Sequence, residues 1–338
     1  MLKSFMQMKP QIKIRFVDFW STCDFEHHVL TTALREHYDV EIVHDNSADI
    51  YFCAVFGDEH RDLPSESIKI FYTGENVVPD FNLYDYGIGF EWMDYGDRYF
   101  RLPNYYNLTF RKDVELAKAR HLNVLSEEEY AKKEFCSFVV SNGNDAAQER
   151  ERFFDLLSEY KKVDSGGRYR NNIGGPVADK REFESQHKFA IAFENSSHAG
   201  YSTEKIVNAF AAGTVPIYWG DPEIARIFNP EAFVNVMDYP TLEKAVERVI
   251  EIDKDIEKYM TMRKAPAFVS NDFDFDVQYQ KLVDFLQHIA EQPKVEAQRY
   301  NREFWGKRYI AKYKGWRDQS KLSIKEQIIN KIKSRINR

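Results

Sequence analysis

The chain has 338 residues, 43% of them apolar and 30% charged, which is long enough for two domains, each burying its own core, and excludes a single small module. Its net charge of −7 is uneven: residues 299–338 carry 13 Lys/Arg against 3 Asp/Glu, a balance of +10, which leaves −17 for residues 1–298 and argues against nucleic acid as partner. The cysteines Cys23, Cys53 and Cys136 lack metal-ligand spacing, so neither a zinc site nor a disulfide framework is expected, and a reducing compartment fits best.

Lys3, Lys9, Lys13 and Arg15 interrupt the apolar runs near the N-terminus. No later segment reaches the ~18 apolar residues of a membrane span. A cytoplasmic protein is expected.

Short β-rich runs at Ile12–Phe19, Val40–Val43, Ile50–Phe56 and Ile68–Thr73, with a helical pattern at Glu26–His37, read as an α/β sheet domain. The charged stretch Arg111–Glu134 reads as an exposed helical connector, so a boundary is expected near residue 132. A second α/β rhythm follows, with a strand at Phe135–Ser141, a helix at Ala146–Tyr160, and a parallel strand, loop, helix, strand unit over Phe189–Phe193, Thr203–Ala212 and Thr214–Trp219. The expected domains are 1–132, 133–298 and a basic helical tail, 299–338. Ile324, Ile328, Ile332 and Ile336 form an apolar stripe on that tail, suited to an anionic membrane surface or to docking on the acidic body.

In open α/β sheets ligands collect beyond the carboxyl ends of strands, which directs attention to the loops after each strand. The densest is Glu194-Asn-Ser-Ser-His-Ala-Gly-Tyr-Ser-Thr-Glu-Lys205. Ser202 or Thr203 can cap the following helix and leave its first-turn amides to a diphosphate; Lys205 adds positive charge, and the Glu204 carboxylate can hold ribose hydroxyls. Spacing alone favours a solvated helix face for Glu204 and Lys205. Arg150 can reach the same diphosphate or lie on the surface among the charges of Glu149-Arg-Glu-Arg152. Glu75, in the tight loop Gly74-Glu75-Asn76, is a candidate general base or an ordinary exposed loop residue. Asp272-Phe-Asp-Phe-Asp276 has spacing that can bind a metal-diphosphate; helix capping is the preferred reading, and no obligatory metal is expected.

Together these clusters resemble the α-1,3/4-fucosyltransferases of glycosyltransferase family 10. The resemblance rests on Phe193-Glu-Asn195, Gly200-Tyr-Ser-Thr-Glu-Lys205, Val215-Pro-Ile-Tyr-Trp-Gly220 and Phe228-Asn-Pro230, and, nearer the N-terminus, on Phe71-Tyr-Thr-Gly-Glu-Asn76, Asp85-Tyr-Gly-Ile-Gly-Phe90 and Asp97-Arg-Tyr99. It implies a GT-B architecture, two Rossmann-like domains facing across a cleft, with GDP-fucose on the C-terminal domain and a β-galactoside glycan acceptor on the N-terminal one. It further implies Glu75 as general base, Arg150 on the diphosphate, and Asn195, Tyr201, Glu204 and Lys205 as nucleotide-sugar contacts. Two alternatives are a GT-B enzyme using another nucleotide sugar and a glycan-binding relative without catalysis.

Overall fold

The computed structural model describes residues 8–123, 125–141, 143, 147–300, 304–320, 322–326, 328, 329 and 332. The chain opens with β1 (Gln11–Val17), α1 (Val29–Arg35), β2 (Asp39–Ile42), β3 (Ile50–Cys53), β4 (Ile68–Tyr72), β5 (Tyr86–Gly89) and β6 (Tyr99–Arg101). These strands form one sheet in the order β2-β1-β3-β4-β5-β6, with every neighbouring pair parallel. β3 and β4 are buried on both faces, hence their nearly unbroken apolar sequence. The sequence reading did not anticipate β5 and β6. In β5, a side chain on Gly87 would place its Cβ 2.8 Å from Pro79 Cγ, so glycine is needed where the chain passes closely over the strand.

α2 (Arg111–Ala119) and α3 (Glu127–Ala131) lead to the second domain. The expectation of an exposed connector is corrected here, because Val114, Ala117 and Arg120 are buried. The Arg120 guanidinium donates to the carbonyls of Thr214 and Ala232 in the second domain, at 3.2 and 3.3 Å. Charge is plentiful on α2, yet its apolar residues Val114 and Ala117 lie three apart and share one buried face.

The second domain comprises β7 (Glu134–Phe138), α4 (Gln148–Tyr160), β8 (Val163–Ser165), α5 (Lys180–Ser185), β9 (His187–Phe193), α6 (Glu204–Ala211), β10 (Val215–Trp219) and β11 (Val234–Asn235). Its sheet runs β11-β10-β9-β7-β8, again wholly parallel. After α7 (Leu242–Lys254) and α8 (Ile256–Lys264), the chain returns to the first domain through α9 (Phe275–Glu291) and α10 (Lys294–Ala297). Phe285 of α9 packs edge-on against Tyr86 and stacks on Phe100 at 5.4 Å. The Asp85 carboxylate accepts the Arg299 and Tyr300 amides at 2.5 and 2.8 Å.

α11 (Phe304–Ser320) lies on the first domain. Ile310 packs against its core, Arg61 sits 4.5 Å from the Tyr313 ring centroid, and Arg317 pairs with Asp62 at 2.9 Å. Trp305, Tyr309 and Trp316 are exposed, as are Ile324, Ile328, Ile329 and Ile332; Ile336 lies outside the described residues. Among the described residues no helix is long and apolar enough to cross a membrane.

His28 caps α1 by accepting the Leu30 amide on Nδ1, and burial pushes its imidazole down to about 4 from an ordinary 6.5. Its contribution to stability is complete above pH 6.5 and is lost as the pH falls toward 4, by up to about 3 kcal/mol. Denaturant unfolding of His28→Asn, which keeps a capping side chain without the charge, is expected to show a flatter decline over that range. A wild-type slope in the variant would remove His28 from this role.

Candidate active site

The two sheets meet at the carboxyl ends of their strands. Asn76, in the loop after β4, donates to Ser196 Oγ in the loop after β9 at 2.7 Å. Arg101, ending β6, donates to the Gly200 carbonyl at 3.1 Å, and Asn104 donates to Glu204 Oε2 at 3.1 Å. The loops after β4 and β9, both singled out by the sequence, thus face each other, joined by the segment after β6.

The entrance to α6 is organised by Glu194, which is 0% exposed. Its carboxylate accepts the Thr203 amide at 2.7 Å, the Thr203 hydroxyl at 2.7 Å and the Lys205 ammonium at 2.9 Å. This corrects the capping expectation: Thr203 stands at the N-cap position, but its hydroxyl is spent on Glu194 and α6 has no side-chain cap. The first-turn amides thus keep the partial positive charge that attracts an anion. Gly220 approaches Glu194 so closely, at a φ of +151°, that a Cβ would lie 2.5 Å from Glu194 Cγ. Gly200, at φ +86°, likewise leaves no room beside the Phe90 carbonyl.

Around this anchor the predicted residues converge. Burial opposes the charge on Lys205, but Glu194 and Glu204 outweigh it and hold the ammonium above its ordinary range. Burial similarly opposes ionisation of Glu204, and the charges of Lys205 and Lys180 reverse the balance. Both groups are therefore charged near neutral pH. Arg150, on α4, is 2% exposed and donates through Nη2 to the Phe193 carbonyl at 3.0 Å and to Asn195 Oδ1 at 2.6 Å. Its Nε is buried and has no hydrogen-bond partner among the described residues. Arg152 points elsewhere, pairing with Glu243 at 2.5 Å on the surface. The two arginines of this run thus have different surroundings.

Tyr201 is buried edge-on against Phe90. Burial raises its hydroxyl pKa, and the negative charges of Glu194, Glu75 and Glu204 add to the rise. Glu75 itself is exposed at the domain junction, its amide held by Thr73 Oγ1 at 3.0 Å.

Sequence reasoning assigned no site role to Glu194, Asn104, Arg101 or Asp221. Asp221 accepts the Gly200 amide at 2.8 Å, and Arg101 lies 3.8 Å from the Trp92 ring centroid. Glu194 stood within a recognised tripeptide, yet nothing in the sequence distinguishes a buried anchoring carboxylate from an exposed one. The Asp272–Asp276 run is also corrected. Asp274 precedes α9 without capping it; instead it pairs with Lys118 while Asp276 pairs with Arg111, tying α9 to α2. A separate cavity of about 680 Å³ beside β11, α7 and α8 contains none of the predicted site residues.

Comparison with known proteins gives a consistent result. Residues 14–108 match the Alpha-(1,3)-fucosyltransferase FucT N-terminal domain, and residues 129–264 match the C-terminal domain of glycosyltransferase family 10 (fucosyltransferase). The chain is 33% identical over 320 residues to a Helicobacter pylori Alpha-(1,3)-fucosyltransferase FucT, covering 83% of this chain and 66% of that one. A human 4-galactosyl-N-acetylglucosaminide 3-alpha-L-fucosyltransferase is 36% identical over 135 residues, covering 39% of this chain and 36% of that one. A human 3-galactosyl-N-acetylglucosaminide 4-alpha-L-fucosyltransferase gives the same values, so this likeness does not choose between linkages. The chain therefore spans just under two thirds of the bacterial relative and about a third of the human ones.

Among solved structures, an alpha1,3-fucosyltransferase is 31% identical with a TM-score of 0.73, covering 84% of this chain and 91% of that one. An alpha1,3-fucosyltransferase solved with GDP-fucose is 30% identical with a TM-score of 0.72, covering 86% and 94%. The two facing parallel-sheet domains are the GT-B architecture.

Proposed function

Because the chain belongs to the fucosyltransferases of glycosyltransferase family 10, we propose that it transfers L-fucose from GDP-β-L-fucose, with inversion, to a GlcNAc or Glc hydroxyl of a β-galactoside-containing glycan. The observation that carries this reading is the convergence of Arg150, Asn195, Glu204 and Lys205 on the open N-terminus of α6, opposite Glu75. Lys205 and Arg150 meet the diphosphate, Glu204 accepts the ribose hydroxyls, and Asn195 and Tyr201 complete the nucleotide-sugar contacts.

The acceptor hydroxyl attacks the anomeric carbon from the face opposite the departing GDP. Glu75 takes the proton, and the product is an α-L-fucoside. Negative charge grows on the leaving diphosphate as the bond breaks, where two cations and the helix amides are already oriented. That charge balance needs no metal ion, so turnover in EDTA is expected.

The two neighbouring arginines provide the test. Arg150→Ala is expected to weaken GDP binding by roughly 10- to 100-fold, the scale of losing a hydrogen bond to a charged group, whereas Arg152→Ala leaves it unchanged. Calorimetric titration of GDP reads both; equal effects would dissolve the assignment.

On the acceptor side, Trp20 and Phe56 form an exposed, edge-on aromatic pair just beyond the carboxyl ends of β1 and β3, a surface suited to the apolar face of a sugar. Trp20→Ala is expected to raise the KM for N-acetyllactosamine while that for GDP-fucose stays constant. A change confined to the donor KM would count against this placement. The exposed aromatic and isoleucine residues of the basic tail suit an anionic surface, consistent with action at the inner face of the cytoplasmic membrane.

A further inference from the structure

Away from the transfer site, three cations meet under α11, and among the described residues no carboxylate lines the space between them. Lys69 is the second residue of β4, at the opposite end of that strand from Glu75. It is 5% exposed, and its ammonium lies 3.8 Å from the Tyr300 ring centroid. Among the described residues it makes no ion pair, although a buried ammonium ordinarily requires one. Arg61 has its Nη1 buried and without a hydrogen bond. Lys314, on the half-buried face of α11, completes the group.

All three line one cavity of about 70 Å³, closed by Leu83, Tyr300 and Ile310. Among the described residues no carboxylate lines it. The nearby carboxylates are engaged elsewhere, Asp85 by the amides of Lys69, Arg299 and Tyr300, and Asp62 by Arg317. Burial pushes the Lys69 ammonium down to about 8; the charges of Cys53 and Asp85 oppose the fall, and that of Lys314 adds to it.

We propose that this pocket binds a small tetrahedral oxyanion of the phosphate class, which neutralises Lys69, Arg61 and Lys314 and fixes α11 against the first domain. Its volume admits a few waters or one such ion and excludes a nucleotide. The apolar walls strengthen each charge-assisted hydrogen bond to the guest. Two sources share this chemistry: free inorganic phosphate and the phosphomonoester headgroup of an anionic lipid.

The test titrates inorganic phosphate into the full chain at constant ionic strength, with GDP saturating the cleft, and repeats the titration in an Arg150→Ala background. Affinity is read by calorimetry and the state of α11 by amide hydrogen exchange over residues 304–320. Saturable binding that slows this exchange is expected, with each of Lys69→Met and Lys314→Ala weakening affinity about tenfold or more. Lys314→Ala decides the matter if Lys69→Met fails to fold. Phosphatidylcholine vesicles containing phosphatidic acid displace phosphate if the site takes a headgroup, and leave it bound if the site takes only the free ion. Absence of phosphate binding, or binding that both variants leave unchanged, overturns the proposal.

Discussion

Glu75→Ala is expected to lower kcat by about 10²-fold or more while GDP binds as in the wild type, because the change removes proton transfer and leaves the second-domain contacts in place. The carboxylate stands at the carboxyl end of β4 on a loop fastened across the domain junction by Asn76 and Ser196. It is thus positioned by the first domain but presented to the second, as deprotonation of an acceptor hydroxyl during attack on a bound donor requires. Loss of GDP affinity in the variant, or unaltered turnover, would remove Glu75 from the role of base.

Glu194→Ala carries the second large effect, on stability and donor binding together. Three donors, the buried Thr203 amide and hydroxyl and the half-buried Lys205 ammonium, depend on this carboxylate. Removing it leaves a half-buried positive charge without its closest partner, a change that costs about 3–5 kcal/mol when one member of a buried pair is deleted. It also frees Lys205 from its fixed orientation at the entrance of α6. Guanidinium unfolding should show a lower midpoint, and GDP affinity should fall even where the protein remains folded. Wild-type stability in Glu194→Ala would mean that the entrance of α6 is organised by other contacts.

The contrast between Glu75 and Glu194 shows what the sequence disclosed. Strands such as β4 and β9 are largely apolar and were legible from composition, and the motifs that follow them lie in loops that face each other across the domain junction. Whether a charged residue in such a loop faces solvent or a buried partner depends on the opposing chain. The run Glu149-Arg-Glu-Arg152 therefore hid the difference between a guanidinium enclosed with Asn195 and one paired with Glu243. β5 was obscured because two of its four residues are glycines, which break the apolar run, whereas Gly87 answers the close passage of Pro79. α2 misled for a related reason: its charged residues outnumber the few apolar ones that seat it between the domains. Asp274 and Asp276 resembled capping or metal-binding residues until α2 supplied Lys118 and Arg111 as their partners.

The central claim, a fucosyl transfer driven by this cleft, is tested most directly by GDP release from GDP-fucose with N-acetyllactosamine as acceptor and EDTA present, comparing wild type with Glu75→Ala and Lys205→Ala. The account predicts release that requires the acceptor, survives chelation and is lost in both variants. Release that is independent of acceptor, that stops with EDTA, or that persists in both variants would contradict it.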